Sequence, residues 1–317
     1  MTSLQNTPLP RAATRADRIN TQYTRTLTEN AREYNMASDN SSSHNNDQFK
    51  LESLWDVKGK VALITGGGSG IGLMAAQALA VNGAKVYVVG RTGEKLDRVA
   101  ETYGKDISGQ IIPMTADVSN KDSIKKCYEE FSKNEKHLDI LINNAGISTH
   151  TFNTEAGDAQ ALKKALFDDE NATFQDWDDV FRTNVSQIYF MSTCFLPLLH
   201  PATENQYGWS STIINICSIS GQVKTSQHHP QYNASKAATI HLNRMLANEF
   251  QENGLKIRVN SIAPGKRTTP CSCVASTNVP CRCFPIRDDS RRIRRKPEVA
   301  HSQGQVRGQG PGWPSRQ

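Results

Sequence analysis

From Val61 to Gly265 short apolar runs alternate with longer amphipathic ones, and little outside that span follows either period. VALIT (61–65), KVYVVG (85–90), QIIPMTADV (110–118), LDILINNAG (138–146), STIINICS (211–218) and KIRVNSIAPG (256–265) are rich in Val and Ile and read as strands. IGLMAAQALAVNG (71–83), KDSIKKCYEEFSK (121–133), FQDWDDVFRTNVSQIYFMSTCFLPLL (174–199) and NASKAATIHLNRMLANEF (233–250) carry helical patterning. Strands that are continuously apolar need cover on both faces. Strand–helix alternation at this spacing gives right-handed crossovers. The predicted class is therefore α/β, a doubly wound parallel sheet with helices on both faces. Two connections, 150–173 and 200–210, exceed the usual span of about two to six residues. The first contains DAQALKKALFDD, which predicts a short extra helix, and such segments above the strand ends frame a substrate pocket or decorate the surface.

The ends of the chain read differently. Residues 1–54 lack apolar periodicity and include ASDNSSSHNNDQ (37–48), a run with too little to bury to offset the entropy of ordering. They are expected to form a disordered leader. Arginines at 11, 15, 18, 25 and 32 keep mitochondrial import as an alternative to a cytoplasmic location, against which stand Asp17, Glu29 and Glu33. Met36 is an alternative start to Met1. Residues 266–317 form an irregular basic tail rich in Cys, Arg, Gly and Pro, also expected to be disordered. The mean hydropathy of −0.55 fits such polar ends.

Charge follows the same division. The net +6 comes from the tail, where 11 Lys or Arg face 3 Asp or Glu, so that residues 1–265 stand at −2. No basic stripe interleaved with aromatics marks the body, and nucleic acid is not an expected partner. No apolar run reaches the ~20 residues of a membrane span. Seven cysteines, an odd number, and no secretory apolar region argue against a disulfide scaffold and for a reducing compartment. No metal site is expected in the body. In the tail, CSC and CRC offer four thiolates to zinc at a spacing too tight for ordinary knuckles, and RRIRRK is a candidate for anionic partners or nuclear import.

TGGGSGIG, Thr65 to Gly72, follows a predicted strand and opens a helix. Glycine there permits a tight turn and close approach to a pyrophosphate, which the helix N-terminus stabilises. Gly66, Gly70, Ile71 and Gly72 are the candidates, and the strand–turn–helix setting makes the sheet Rossmann-type. The second strand runs into Gly90 and Arg91, where a site for an unphosphorylated adenosine ribose usually has an acid. A guanidinium suits a 2′-phosphate, so NADP(H) is preferred over NAD(H). The competing reading makes Arg91 a solvated strand end. Asp117 and Val118 suit an adenine edge, and NNAG (143–146), with Asn144, suits the inner face of the cofactor. Each is also compatible with a simple strand cap.

YNASK sets Tyr232 and Lys236 on one helical face. Free tyrosine titrates near pH 10, so a neighbouring ammonium is expected to draw its pKa down and make it an acid and base for carbonyl–alcohol chemistry. Ser218, ending a strand in NICSIS, is placed to donate to the carbonyl oxygen, with Ser220 as the competing assignment. Asn184 lies mid-helix, where asparagine is unfavourable, and either a local bend with its carbonyl holding a relay water explains it or it is a merely tolerated polar residue.

Together TGGGSGIG, Asp117, NNAG, Asn184, Ser218 and Tyr232-x-x-x-Lys236 resemble the classical short-chain dehydrogenases/reductases over about Leu54 to Gly265. The resemblance implies hydride transfer between nicotinamide C4 and a carbonyl carbon, with Tyr232 as acid/base. It implies that Lys236 lowers the tyrosine pKa and grips ribose, that Ser218 orients the carbonyl and that Asn184 holds the relay water. Pro264 and Gly265 join the cofactor set. The detail is nearest to fungal NADPH-dependent 3-oxoacyl or ketone reductases, whose substrate is a small ketone or alcohol, and the family implies a homodimer or homotetramer.

After IAPG (262–265) the family pattern gives a threonine-bearing segment, covering helices and a last strand. Thr268 and Thr269 fit the first, while the rest is not legible in KRTTPCSC…CRCFPIRDDSRRIRRK. The final strand is thus expected to be missing. A second reading follows, a truncated, catalytically silent cofactor-binding or interaction protein.

Overall fold

The computed structural model describes residue 50 and residues 54–204 and 208–265. The chain divides into two compact units, Met1–Gly265 and Lys266–Gln317, and the described residues all belong to the first. Nearly all of the leader, the tail with its cysteines and basic run, Thr268, Thr269 and the question of a further strand lie outside them.

Six strands, β1 (Val61–Thr65), β2 (Lys85–Gly90), β3 (Gln110–Thr115), β4 (Ile140–Asn143), β5 (Thr212–Ile216) and β6 (Arg258–Ile262), form one sheet in the order β3-β2-β1-β4-β5-β6. All five pairings are parallel. After β1 the chain builds outward to β2 and β3, then returns across it to β4, so a crevice opens where β1 and β4 end. The two strands stop together, Thr65 opposite Asn143. Pro113 is tolerated in β3 because, among the described residues, only β2 pairs with that strand.

Alternation along each strand sends neighbouring residues to opposite faces. Ala62, Ile64, Val86 and Val88 meet Ala76 and Ala80 of α1 (Gly70–Val81) and Leu96 and Val99 of α2 (Gly93–Tyr103). On the other face Leu63, Tyr87, Leu141 and Ile213 pack with Phe131 of α3 (Lys121–Asn134) and with Ile188, Leu199 and Phe250. Phe131 joins the layers through edge-on contacts with Tyr87 and Phe195, with ring centroids 4.7 and 5.6 Å apart.

The extra helix is α4 (Ala159–Leu166), capped by Asp158, whose carboxylate accepts from the Ala161 amide at 2.8 Å. It buries none of its residues. The apolar run 174–199, read as one helix, is several: α5 (Phe174–Phe181), a π-helical segment at Arg182–Ser186, α6 (Gln187–Cys194) and α7 (Leu196–Glu204). The break between α6 and α7 falls at Phe195, just ahead of Pro197, a residue suited to a first helical turn. α7 also extends into the predicted 200–210 connection and so shortens it. A three-residue 3₁₀ turn (Ile219–Gly221) then leads toward α8 (Pro230–Glu252), which begins on Pro230.

Candidate active site

The glycine turn is fixed by what it excludes. Gly66 has φ +67° and Gly70 has φ +57°, left-handed values that disfavour any side chain. A Cβ on Gly72 would stand 2.5 Å from the Gly66 carbonyl oxygen and 2.4 Å from Asn144 Nδ2. The turn and the first turn of α1, with Ile71 between these glycines, therefore touch with no room for a methyl group. Asn144 closes the turn from β4, its Nδ2 donating to the Thr65 and Gly66 carbonyls at 3.0 and 3.1 Å. Thr65 Oγ1 in return accepts from the backbone amides of Asn144 and Ala145, both at 3.0 Å. Asn144 thus acts through its side chain as a brace for the loop.

Arg91, exposed just beyond β2, lies close enough to Asp117 for their charges to interact. Asp117 accepts from both the amide and the hydroxyl of Ser119, at 2.9 and 2.7 Å. The Ser119 hydroxyl is the main reason its carboxyl titrates below the usual range, with Arg91 adding to the effect against a smaller cost of burial. Val118 beside it is buried.

Tyr232 and Lys236 occupy the N-terminal half of α8, with Lys236 Nζ 5.7 Å from the Tyr232 ring centroid. Burial pushes the Tyr232 phenol up, and the Ser218 hydroxyl, hydrogen-bonded to it, pulls it partly back. Lys236 is not among the groups that lower it, contrary to the expectation from sequence. The ammonium lies over the ring, donates to the Ile216 carbonyl at 2.9 Å, and is itself drawn down by burial. That is its only hydrogen bond among the described residues, although the side chain is 4% exposed. Two ammonium hydrogens remain for another acceptor. A Cβ built on Gly146 would stand 3.6 Å from Nζ, so the NNAG backbone borders that space.

Ser218 Oγ accepts from the Ser220 amide at 3.1 Å, while Ser220 Oγ turns away and donates to Gln227 Oε1 at 2.8 Å. Of the two serines, Ser218 is the one against Tyr232. Gly221 holds this turn on α8, since a Cβ there would meet the Lys236 carbonyl carbon at 2.6 Å. Sequence reading missed that requirement, for which the signal was a glycine three residues beyond the serine. The Pro264 carbonyl accepts from the Ile219 amide at 3.1 Å, bringing Pro264 and Gly265 beside the same turn.

Asn184 sits in the π segment and is 0% exposed. Its Oδ1 accepts from the Ile147 amide at 2.8 Å, and its Nδ2 donates to the Ile147 carbonyl at 2.9 Å and to Ser235 Oγ at 3.0 Å. The bend inferred from its mid-helix position is this π turn, a form common at functional sites. Its backbone carbonyl accepts from Thr239 Oγ1 at 2.9 Å. Sequence reading also missed a buried polar ladder under the site. Asn143 Nδ2 donates to Asn215 Oδ1 at 2.9 Å and to Ser192 Oγ at 3.1 Å, and Asn215 Nδ2 donates to Asn243 Oδ1 at 2.8 Å.

A glycine-cornered crevice at a sheet switch point, with a phenol, a buried ammonium and a serine at its far end, defines a nucleotide-dependent oxidoreductase site. Residues 60–278 match the family model described as short chain dehydrogenase, and the chain belongs to that family. It is 36% identical over 215 residues to a short-chain dehydrogenase/reductase, PhomF, of Diaporthe leptostromiformis, covering 67% of this chain and 71% of that protein. It is 32% identical over 216 residues to the rhamnolipids biosynthesis 3-oxoacyl-[acyl-carrier-protein] reductase of Pseudomonas aeruginosa, covering 68% and 76%. The RhlG/NADP active-site complex of Pseudomonas aeruginosa superimposes with a TM-score of 0.55 at 30% identity, over 66% of this chain and 73% of that one. A short chain dehydrogenase/reductase from Burkholderia phymatum in complex with NAD also gives 0.55, at 25% identity and 67% of each chain. The protein is an oxidoreductase of the short-chain dehydrogenase/reductase type. Among the described residues no helix is long and apolar enough to cross a membrane.

Proposed function

We propose that the protein is an NADP(H)-dependent reductase that takes a ketone, a 3-oxoacyl group or a secondary-metabolite carbonyl, to the alcohol. The observation that carries this reading is Lys236, a buried ammonium with one hydrogen bond among the described residues, facing the backbone of Gly146. A buried cation left with unused donors is costly, and the hydroxyls of a nicotinamide ribose supply acceptors of the right kind. Gly66, Gly70, Ile71 and Gly72 would carry the pyrophosphate, Asp117 and Val118 the adenine edge, and Asn144, Pro264 and Gly265 the inner wall. The exposed guanidinium of Arg91 is the reason to prefer the 2′-phosphorylated cofactor. The bound dinucleotide supplies the hydride.

The remaining steps belong to the chain. Ser218 donates to the substrate oxygen as negative charge develops there. Tyr232, protonated at neutrality and pushed higher still by burial, gives its proton to that oxygen and regains one from solvent. The Asn184 carbonyl would hold a water in that return path. The rhamnolipid relative's name supports a 3-oxoacyl substrate, and PhomF supports assignment to this enzyme class. A small-molecule substrate, a cytoplasmic location and a homodimer or homotetramer complete the reading.

The test is NADPH binding to the purified full chain, followed by fluorescence, beside NADPH oxidation with 3-oxo esters and aromatic ketones. Binding and ketone-dependent oxidation are expected. Binding without oxidation across both substrate classes overturns the reductase reading in favour of a silent cofactor-binding protein.

A further inference from the structure

Gln231 immediately precedes Tyr232 in α8 and is 0% exposed. Its Nε2 lies 3.0 Å from Thr149 Oγ1, 2.9 Å from the His150 carbonyl oxygen and 3.0 Å from Asp176 Oδ2. An amide nitrogen has two hydrogens, so three acceptors share them. Its Oε1 has no hydrogen-bond partner among the described residues. Turning the amide over would set that oxygen against a carboxylate and a carbonyl, so the surroundings fix its orientation.

One side chain therefore links three elements that meet at the crevice. Asp176 lies in the first turn of α5, which runs directly into the π segment carrying Asn184. Thr149 and His150 belong to the connection that leaves NNAG and whose Ile147 is held by Asn184. A second clasp lies alongside, where Phe152 donates from its amide to the His228 carbonyl at 2.9 Å and its own carbonyl lies 3.1 Å from His228 Nδ1. His228 has φ +65°, a strained value for a residue with a side chain, and the clasp holds it there.

We infer that Gln231 is a positioning residue for the reduction. Its amide sets Tyr232 at a fixed distance from both the wall 147–154 and the helix bearing Asn184, so that the phenol meets the carbonyl oxygen in reacting geometry. The inference rests on the reductase reading for its kinetic arm, while its second arm does not depend on turnover.

The kinetic arm compares the full chain with Gln231→Leu, Gln231→Glu and the pair Gln231→Glu/Asp176→Asn, using NADPH and ethyl acetoacetate. A displacement near 1 Å costs up to about a hundredfold in rate, so kcat for Gln231→Leu is expected to fall at least ~10-fold with NADPH affinity changed by less than ~2-fold. Gln231→Glu opposes two carboxylates and is expected to lose more. The pair restores a donor–acceptor match, with the amide introduced by Asp176→Asn donating to the new carboxylate, and is expected to recover most of that loss. The second arm is amide hydrogen exchange. In Gln231→Leu the Phe152 amide and the first turn of α5 are expected to lose protection together while β4 keeps its own.

Absence of turnover in the unaltered chain would count against reduction of this ester and leave the exchange arm to decide the role of Gln231. Unchanged exchange at Phe152 and α5 overturns the inference, as does unchanged kcat in Gln231→Leu or a pair no better than Gln231→Glu alone. If Gln231→Leu does not fold, Asp176→Leu, which takes the carboxylate acceptor away from Gln231 Nε2, carries the same expectation at smaller size, and its failure to alter kcat and exchange is equally decisive.

Discussion

The two ends of the crevice are built on opposite principles. At the glycine turn the geometry is set by missing atoms, with the Gly66 carbonyl so close to Gly72 that a methyl group on the latter has no place. At the tyrosine end it is set by side chains that are present and bonded across elements. Asn184 uses both amide groups, Ser218 serves Ser220 and Tyr232, and Gln231 gathers three acceptors. The first design fails when something is added, the second when something is removed. Binding and chemistry should accordingly be separable by substitution.

The largest expected effect is at Tyr232. Tyr232→Phe removes only the hydroxyl, and loss of an acid/base group costs about 10²–10⁴ in rate, so turnover should all but vanish while NADPH affinity holds. Retention of even a tenth of the parent kcat would count against Tyr232 as proton donor. The pH profile sharpens the same point. Burial raises this phenol above its ordinary value, so the protonated form predominates at neutrality and reduction should fall only as pH climbs through that raised value. Alcohol oxidation, which needs the phenolate, should rise over the same interval. A reduction rate that has already fallen by about pH 6.5, the ordinary histidine value, would assign the proton to another group, with His229, drawn down by burial and by His228, a candidate beside Tyr232.

Gly72→Val tests the other end by addition. Overpacking costs about 1–3 kcal/mol, and here the added carbons press on backbone and on the Asn144 brace. NADPH affinity should collapse and the melting temperature drop, with a denaturant titration separating the two. A variant with parental affinity would mean the turn can spread, and exclusion would not be the principle that shapes it.

These contrasts explain what the sequence disclosed. The strands, the glycine turn and the Tyr232/Lys236 pair were readable because each is local, a run of β-branched residues, a string of glycines, two side chains four apart. Asn184 was readable as an anomaly, a polar residue within an apolar helical run, and the π turn is its cause. Ser218 and Ser220 could be ranked but not separated until the Gln227 contact of Ser220 was seen. The links from Asn184 to Ile147 and from Gln231 to Thr149 join residues 37 and 82 positions apart, and no pattern along the chain marks them. Helix ends were misjudged between 174 and 204 because apolar spacing carries through a π turn and a proline without interruption. The expected influence of Lys236 on Tyr232 failed for a related reason. Spacing placed both on one face, but burial raises the phenol and the Ile216 carbonyl that holds the ammonium lies on β5.

The ladder beneath the tyrosine end gives a third test by removal. Asn215→Leu takes a donor from Asn243 and an acceptor from Asn143, both buried. An unsatisfied buried polar group costs about 1–3 kcal/mol, so unfolding should move to lower denaturant while the KM for NADPH stays close to parental. An unchanged midpoint would mean that neighbouring groups or water replace the ladder.

The smallest effect is expected at Arg91, which is exposed and therefore screened by solvent. Arg91→Leu keeps the stem and removes the guanidinium, whose fork suits a phosphate and has no counterpart on an unphosphorylated ribose. NADPH binding should weaken about 10-fold, NADH binding should hold or improve slightly, and the NADPH deficit should shrink as salt is raised. The neighbouring carboxylate makes the sign informative. Arg91 helps to hold Asp117 ionised, and with the guanidinium gone that carboxylate stands without its opposing charge, which disfavours a 2′-phosphate and leaves an acceptor for a ribose hydroxyl. Equal losses for the two cofactors would assign Arg91 to the pyrophosphate or to solvent, and the preference for NADP(H) would then have to originate elsewhere in the glycine turn.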